Sequence, residues 1–381
     1  MRAVEVPEND LIPEADRVEG APHPRETETL IGHPEAEQAF LDAFNSGRLH
    51  HGWLISGPQG VGKATFAWQI AKFLLSQPLE DDGGLFGAPP PPTTMRVSPE
   101  DPVTQQVVAL SEPGLFLLRR GWNEKTKKLK SMITVDEVRK LHGFFGMSAV
   151  DGRRRVVIAD AADDMNVQAA NAILKMLEEP PARTTILLVS HQPSRLLPTI
   201  RSRCRELRLR PLDAGNMTAA LSQAGAEPED DAAALATLSG GSVGGAMRLI
   251  RLDGLKLYEQ LISLMDTMPR LDQPQAIKLA DHLAARGNDA KLELFETLLD
   301  LAIARMARQG SLGVPAPMPA TGHETQVFAK LAPDAWAARK WADQAQDILA
   351  RFRHGRAVNL DPSALILDTL FHMNRTAAGG A

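Results

Sequence analysis

The stretch of residues 155–209 constrains the fold more than any other part of the chain. Apolar, β-branched-rich runs that are too short for an amphipathic helix predict three buried parallel strands in it. These runs are 156–158, 185–189 and 206–209. Between the first two, apolar residues recur at three- and four-residue steps over 167–177, and Pro180 and Pro181 then end the predicted helix. The stretch is therefore predicted to be a βαβ unit of an open α/β sheet.

The ends of these strands are where chemistry is expected, because ligands of open sheets bind beyond the carboxyl ends of the strands. Those ends are Asp160, Ser190 and the turn at 202–204. Upstream, a predicted strand at 54–56 enters a loop at 57–63 with the glycine and lysine spacing of a P-loop. Its glycines let backbone N–H groups surround a phosphate, and its lysine supplies a positive charge at the start of a helix. The candidate nucleotide-binding residues are Gly57, Gly60, Gly62, Lys63, Thr65 and Asp160.

Four segments of the chain resemble a known family. GPQGVGKAT, NAILKMLEEPP, LLPTIRSRC and NLDPSALILDTL are similar to segments of the AAA+ clamp-loader subunits of bacterial DNA polymerase III, most closely the delta-prime family. The resemblance covers roughly residues 30–373. It implies an AAA+ P-loop domain with a parallel sheet, a small helical lid, and an all-α C-terminal domain that packs with its counterparts in a pentameric collar.

Changes of composition along the chain predict its domains. Residues 1–24, rich in Pro, Glu and Asp, are predicted to be a disordered acidic tail. The core domain is expected over 25–211, with a Pro-rich insertion at 77–102 that lacks periodicity. Short alanine-rich helices predict a lid at 212–252, and longer apolar stripes predict a collar or oligomerisation domain at 253–381.

Composition limits the classes of site and partner. The single cysteine, Cys204, excludes an internal disulfide and the four-cysteine zinc module that ATPase domains of the resembled family commonly carry. We therefore predict no metal site, and Cys204 is expected to be a buried apolar group rather than a nucleophile. A net charge of −5 argues against strong independent DNA binding. Without an eighteen-residue apolar run or a signal pattern, the chain is expected to be cytoplasmic, and the resemblance implies a nucleoid-associated replisome.

ATP hydrolysis by this P-loop is not expected. A P-loop ATPase needs a hydroxyl after the lysine to hold Mg²⁺ and an acidic residue that orients water. Ala64 and Ala161 occupy these positions, and Gly244 replaces the lid arginine of active relatives. Thr65 is adjacent to Ala64 but should point about a hundred degrees away around the helix. The surviving glycines and Lys63 leave weak binding of ATP or ADP open, and no cofactor is required.

The resemblance gives Arg203 a different role. Ser202-Arg203-Cys204 matches a family motif whose arginine enters the ATP site of a neighbouring subunit as an arginine finger. Arg203 would thus be a catalytic residue in trans, and a surface salt bridge is the alternative reading. The partners implied are the tau/gamma and delta subunits, with the sliding clamp and primed DNA contacted through the complex and no membrane.

These observations lead to three hypotheses. The first is an ATPase-inactive delta-prime-type subunit, itself not catalytic but part of a DNA-directed DNA polymerase holoenzyme, that helps to load the sliding clamp. The second is a catalytically active AAA+ ATPase of the tau/gamma type. The third, a small-molecule P-loop kinase, leaves the long C-terminal helical region unexplained.

Overall fold

The computed structural model describes residues 13–78, 90–146, 153–226, 231–315 and 318–379. Its contacts divide the chain into two compact units. The first is Met1–Ala226 with Ser242–Gly244, and the second is Glu227–Gly241 with Gly245–Ala381. In the ranges described, helices of a length and hydrophobicity that would cross a lipid bilayer are absent.

The first unit is built on a five-stranded parallel sheet. Its strands are β1 (Gly52–Ser56), β2 (Leu115–Arg119), β5 (Arg155–Asp160), β6 (Thr184–Ser190) and β7 (Arg205–Arg208), in the order β2-β5-β6-β1-β7. Strands β3 (Trp122–Asn123) and β4 (Lys128–Leu129) form a separate hairpin. Its helices are α1 (Pro34–Asn45), α2 (Lys63–Ser76), α3 (Pro102–Val108), α4 (Val135–Gly146), α5 (Val167–Glu178), α6 (Pro198–Arg201) and α7 (Ala214–Gln223). The predicted α/β fold with a parallel sheet is confirmed.

The sheet is covered on both faces by helices, which explains its continuous apolar strands. On one face α2 buries Phe66, Trp68 and Ile70, and on the other α5 buries Ile173 and Leu177. The central strands β1 and β6 are buried along their whole length, and for β6 this is what the predicted βαβ unit required.

The outermost strand, β7, differs from the prediction of a buried strand at 206–209. It pairs only with β1 among the described strands, and it exposes Arg205, Glu206 and Arg208 while Leu207 is buried. An edge strand has a neighbouring strand on one side only, so its charged side chains can remain in contact with water.

The segment that precedes α1 is ordered from Pro13, so the prediction of a disordered tail over 1–24 is wrong for this part. Glu14 and Asp16 form ion pairs with Arg119 at the end of β2, at 3.0 and 2.5 Å, and the side chain of His23 is fully buried. Residues 1–12 of the predicted tail lie outside the described residues. The acidic composition predicted disorder because Arg119, the cation that pairs with these carboxylates, lies about a hundred positions away in the sequence.

The Pro-rich insertion, predicted only from its lack of periodicity, contributes to the packed structure. Residues 79–89 of it lie outside the described residues, but Met95 is buried in the core cluster that contains α2. Asp101 then begins α3 by accepting hydrogen bonds from the backbone N–H groups of Val103 and Thr104. The insertion therefore contributes both a core residue and a helix cap.

The second unit is helical in its described residues, in agreement with the predicted all-α C-terminal domain. Its helices are α8 (Ala232–Leu238), α9 (Val243–Arg251), α10 (Gly254–Thr267), α11 (Gln273–Ala284), α12 (Asp289–Leu312), α13 (Glu324–Leu331), α14 (Ala335–Ala357) and α15 (Pro362–Ala377), with the first residues of α9 assigned to the first unit. Helix α14 buries Trp341, Ile348 and Phe352, whereas Trp336 near its start is 74% exposed.

The predicted lid at 212–252 is divided between the two units. Helix α7 belongs to the first unit, where Thr29 donates a hydrogen bond to Gln223 at 2.6 Å. Helix α8 and most of α9 belong to the second, where Arg248 pairs with Glu293 of α12 at 3.3 Å. The observed division therefore differs from the predicted boundaries at 211 and 252.

Candidate functional site

The P-loop follows β1 and takes a conformation that requires its glycines. Gly57, Gly60 and Gly62 have φ values of 142°, 76° and 102°, which L-residues with side chains rarely adopt. A Cβ on Gly57 would also lie 2.4 Å from the carbonyl oxygen of Leu209. Gly62 is the N-cap of α2, so the loop delivers its backbone directly to the positive end of that helix.

The side chain of Lys63 is bound to the backbone of the P-loop itself. Its side chain is buried, and its Nζ donates hydrogen bonds to the carbonyl oxygens of Gly57, at 2.8 Å, and Pro58. Burial lowers the pKa of Lys63 to about 8, although the negative charges of Asp160 and Asp163 act in the opposite direction. The lysine would have to leave these carbonyl oxygens before it could bind a phosphate.

Asp160 ends β5 and lies 8% exposed at the carboxyl edge of the sheet. Burial raises the pKa of Asp160 to about 7, and the negative charge of Asp16 raises it further, while Lys63 lowers it. The structure thus brings together two residues that the sequence analysis predicted, Lys63 and Asp160. It adds Asp16, which that analysis assigned to a disordered tail.

Ala64, Ala161 and Gly244 are the three positions at which the sequence predicts the loss of a catalytic group. Ala161 is 7% exposed, and Ala64 packs against the core cluster of α2. Thr65 lies half-buried in the first turn of α2. The backbone N–H of Gly244 donates to the carbonyl oxygen of Gly60 at 3.3 Å. None of these three replacements carries a group that could hold a metal ion or activate water.

Asp163 is a structural residue of this edge that the sequence analysis did not identify. Its carboxylate accepts hydrogen bonds from Ser190 Oγ at 2.6 Å, from the backbone N–H of His191, and from that of Gln192 at 3.2 Å. It therefore fixes the chain where β6 ends, beside the end of β5. Its distance of three residues from Asp160 was the available signal, because it places a second carboxylate at the same sheet edge.

We expect Asp163→Ala to lower the free energy of unfolding by about 2–4 kcal/mol, because hydrogen bonds to a charged acceptor are lost and their donors lose their partner. Urea unfolding of the purified chain measures this effect. The matched control is Asp164→Ala, which removes a half-exposed ion pair with Arg120 at 3.1 Å and should cost less than about 1 kcal/mol. Equal costs for the two variants would contradict the role of Asp163.

Arg203 lies at the opposite edge of the sheet from the P-loop. Strand β7 runs parallel to β1, and the turn at 202–204 precedes β7, so it lies beside the start of β1. The carbonyl oxygen of Arg203 is 3.1 Å from the position of a Cβ on Gly52, four residues before the end of β1. At about 3.3 Å per residue these two edges are roughly 13 Å apart. The prediction that this turn shares an edge with Asp160 and Ser190 is therefore wrong.

The guanidinium of Arg203 is partly accessible to solvent and has one ion pair and one hydrogen bond. It forms an ion pair with Glu178, the last residue of α5, at 2.9 Å, and donates to the carbonyl oxygen of Thr199 at 3.1 Å. Both charged side chains are partly exposed, at 38% and 43%.

Cys204 follows Arg203 in the same turn. Burial raises the pKa of the Cys204 thiol to about 12, so this sulfur remains protonated at neutral pH and is not a nucleophile.

The chain is similar to several known proteins. The family model described as "DNA polymerase III, delta subunit" matches residues 32–213. The DNA polymerase III subunit delta' of Pseudomonas aeruginosa is 37% identical over 68% of this chain and 72% of that protein. The subunit delta' of Escherichia coli is 30% identical over 71% of this chain and 75% of that protein. A DNA polymerase III subunit gamma of Buchnera aphidicola is 30% identical over 47% of this chain and 44% of that protein. The chain belongs to the family of DNA polymerase III delta' subunits.

Proposed function

We propose that the chain is an ATPase-inactive delta' subunit of the DNA polymerase III clamp loader. In this role it supplies Arg203 to the ATP site of an adjacent subunit and helps to load the sliding clamp onto primed DNA. Its partners would be the tau/gamma and delta subunits. In the cell it would be located at the replisome on the nucleoid. It would require no cofactor of its own.

The position of Arg203 carries this proposal. Its side chain lies beyond the amino ends of the strands, too far from Lys63 for an extended arginine to reach a nucleotide in the chain's own P-loop. It is exposed and held by a surface ion pair with Glu178, and such pairs contribute only about 0–1 kcal/mol. A phosphate on another subunit could therefore exchange with Glu178 at little cost. A planar guanidinium is also the side chain best suited to bind phosphate oxygens.

The lack of self-directed chemistry is the second part of the proposal. Ala161 places a buried methyl where a water-activating carboxylate would be needed, and Gly244 has no side chain to contact a γ-phosphate. These two substitutions disfavour the alternative of an active tau/gamma-type ATPase. Retention of Arg203 together with loss of these groups fits a subunit that acts on its neighbour.

Replacement of Lys63 by methionine tests this part. In a loader assembled with the Lys63→Met chain, we expect DNA-stimulated ATP hydrolysis to change by less than about twofold, since this P-loop performs no chemistry. The control is the corresponding P-loop lysine variant of a tau/gamma subunit, which should reduce hydrolysis strongly. A Lys63-dependent turnover of ATP by the purified chain would instead support the active-ATPase alternative.

A further inference from the structure

The segment 13–25, called the N-terminal strap below, is fixed to the first unit by a cluster of charges. Glu14 contacts Arg25 at 2.7 Å and Arg119 at 3.0 Å. Asp16, whose side chain is fully buried, contacts Arg119 at 2.5 Å and His23 at 3.3 Å. Burial opposes ionisation of Asp16, but the His23 ring 3.3 Å away and the charge of Arg119 lower its pKa to about 2. Asp16 is therefore ionised at physiological pH.

The strap lies at the edge of the sheet where a nucleotide would bind. Arg119 ends β2 and is the register partner of Asp160, so its partner Asp16 lies beside the end of β5. Farther along, a Cγ of Val18 is 3.6 Å from the position of a Cβ on Gly244, which is itself 3.5 Å from the Cα of Gly60 in the P-loop. The strap thus extends from β2 and β5 to the P-loop.

The end of the strap is fastened to the P-loop helix. The ring of His23 packs edge-on against Trp68 of α2, with the ring centres 5.9 Å apart, and both side chains are fully buried. Just beyond it, the Nζ of Lys72 in α2 donates to the carbonyl oxygen of Thr27 at 3.4 Å. The segment is therefore held at both ends and, between them, approaches the P-loop near Gly60.

The carboxylates of the strap, Glu14 and Asp16, have the same sign of charge as the phosphates of a nucleotide. A triphosphate bound by the P-loop directs its terminal phosphate toward the lysine and the strand-end aspartate. At that place Asp16 already lies next to Asp160, and Lys63 is bonded to the carbonyl oxygens of its own loop. A phosphate entering here would meet like charge and find its lysine occupied.

We propose that the N-terminal strap is an intramolecular occupant of the P-loop cradle that excludes ATP and ADP from the intact chain. The proposal rests on the proposed function, in which this P-loop does no chemistry, and it names what closes the loop. The glycine geometry behind the strap remains that of a phosphate-binding loop. Release of the strap therefore exposes a cradle that binds nucleotide without hydrolysing it.

A charge-neutralised strap tests the proposal. In the full chain, Glu14→Gln with Asp16→Asn keeps the side-chain shapes but removes both ion pairs with Arg119. The probe is a fluorescent ribose-labelled ATP with Mg²⁺. We expect the variant to bind it at least about tenfold more tightly than the natural chain, as expected for removal of like charge close to a phosphate. Adding Lys63→Met should abolish the gain, which locates the binding at the P-loop.

Limited trypsin digestion reports release of the strap independently, because a protease needs a flexible stretch of chain on both sides of Arg17 and the side chain of the preceding Asp16 is buried. Arg119→Gln is a second way to release it, and Arg120→Gln is the matched control, since Arg120 pairs with Asp164. Two results would overturn the proposal. One is a natural chain that binds the probe as tightly as the variants, and the other is a strap that is cleaved while binding stays unchanged. Neither result affects the role of Arg203, which is measured by hydrolysis at the neighbouring site.

Discussion

Replacing Arg203 by alanine is expected to slow ATP hydrolysis at the adjoining site of an assembled loader by about 10³-fold, the lower end of the effect of arginine fingers in other P-loop enzymes. The physical reason is the loss of a positive charge that would stabilise the transferring phosphoryl group from outside the neighbour's own site. Single-turnover hydrolysis in the presence of primed DNA and clamp measures it. Arg203→Lys should recover only part of the rate, because a lysine keeps the charge but lacks the planar fork of donors.

The stability of the chain should not explain that loss. The ion pair between Arg203 and Glu178 is partly exposed on both sides, so its removal should cost less than about 1 kcal/mol. Arg201→Ala is the matched control, since Arg201 is an exposed arginine two residues earlier in α6. An unchanged single-turnover rate in the Arg203→Ala loader would remove the finger assignment.

Replacing Asp160 by asparagine is expected to stabilise the isolated chain above neutral pH. Burial raises the pKa of Asp160 from 3.8 to about 7. Between these values the folded chain holds a proton that the unfolded chain has released, so the stability falls as the pH rises through this window and stays low above it. An uncharged amide removes this penalty. We expect a gain of about 2 kcal/mol near pH 9 and almost none near pH 4.

The neighbours of Asp160 set the size of this gain. Asp16 and Asp164 disfavour its ionised form, whereas Lys63 and Arg119 favour it, so part of the gain is lost when the two cations lose a partner. Urea unfolding at both pH values measures the effect, and Asp164→Asn is the half-exposed control, for which we expect little pH dependence. A variant that is less stable than the natural chain by the same amount at both pH values would contradict this account of Asp160.

The sequence was sufficient for the parts of the fold that depend on local patterns. The βαβ unit follows from continuous apolar strands and one amphipathic helix, and both survive in β5, α5 and β6. The P-loop follows from glycine spacing, because each of Gly57, Gly60 and Gly62 adopts a backbone conformation that other residues avoid. These features need no knowledge of distant residues.

The features that were missed depend on contacts between distant segments. The acidic strap is ordered by Arg119, and composition alone cannot show that Glu14 and Asp16 have this partner. The exposure of β7 depends on its place at the sheet edge, which strand order decides.

The location of Arg203 could have been found from the sequence, because a turn that precedes a parallel strand lies at the amino edge.

A structure of the assembled loader with a non-hydrolysable ATP analogue and primed DNA would show whether Arg203 acts on a nucleotide of another subunit. We predict that the guanidinium of Arg203 leaves Glu178 and lies within about 3 Å of a γ-phosphate oxygen held by the adjacent subunit. A guanidinium that remains paired with Glu178 and distant from every phosphate would contradict the account.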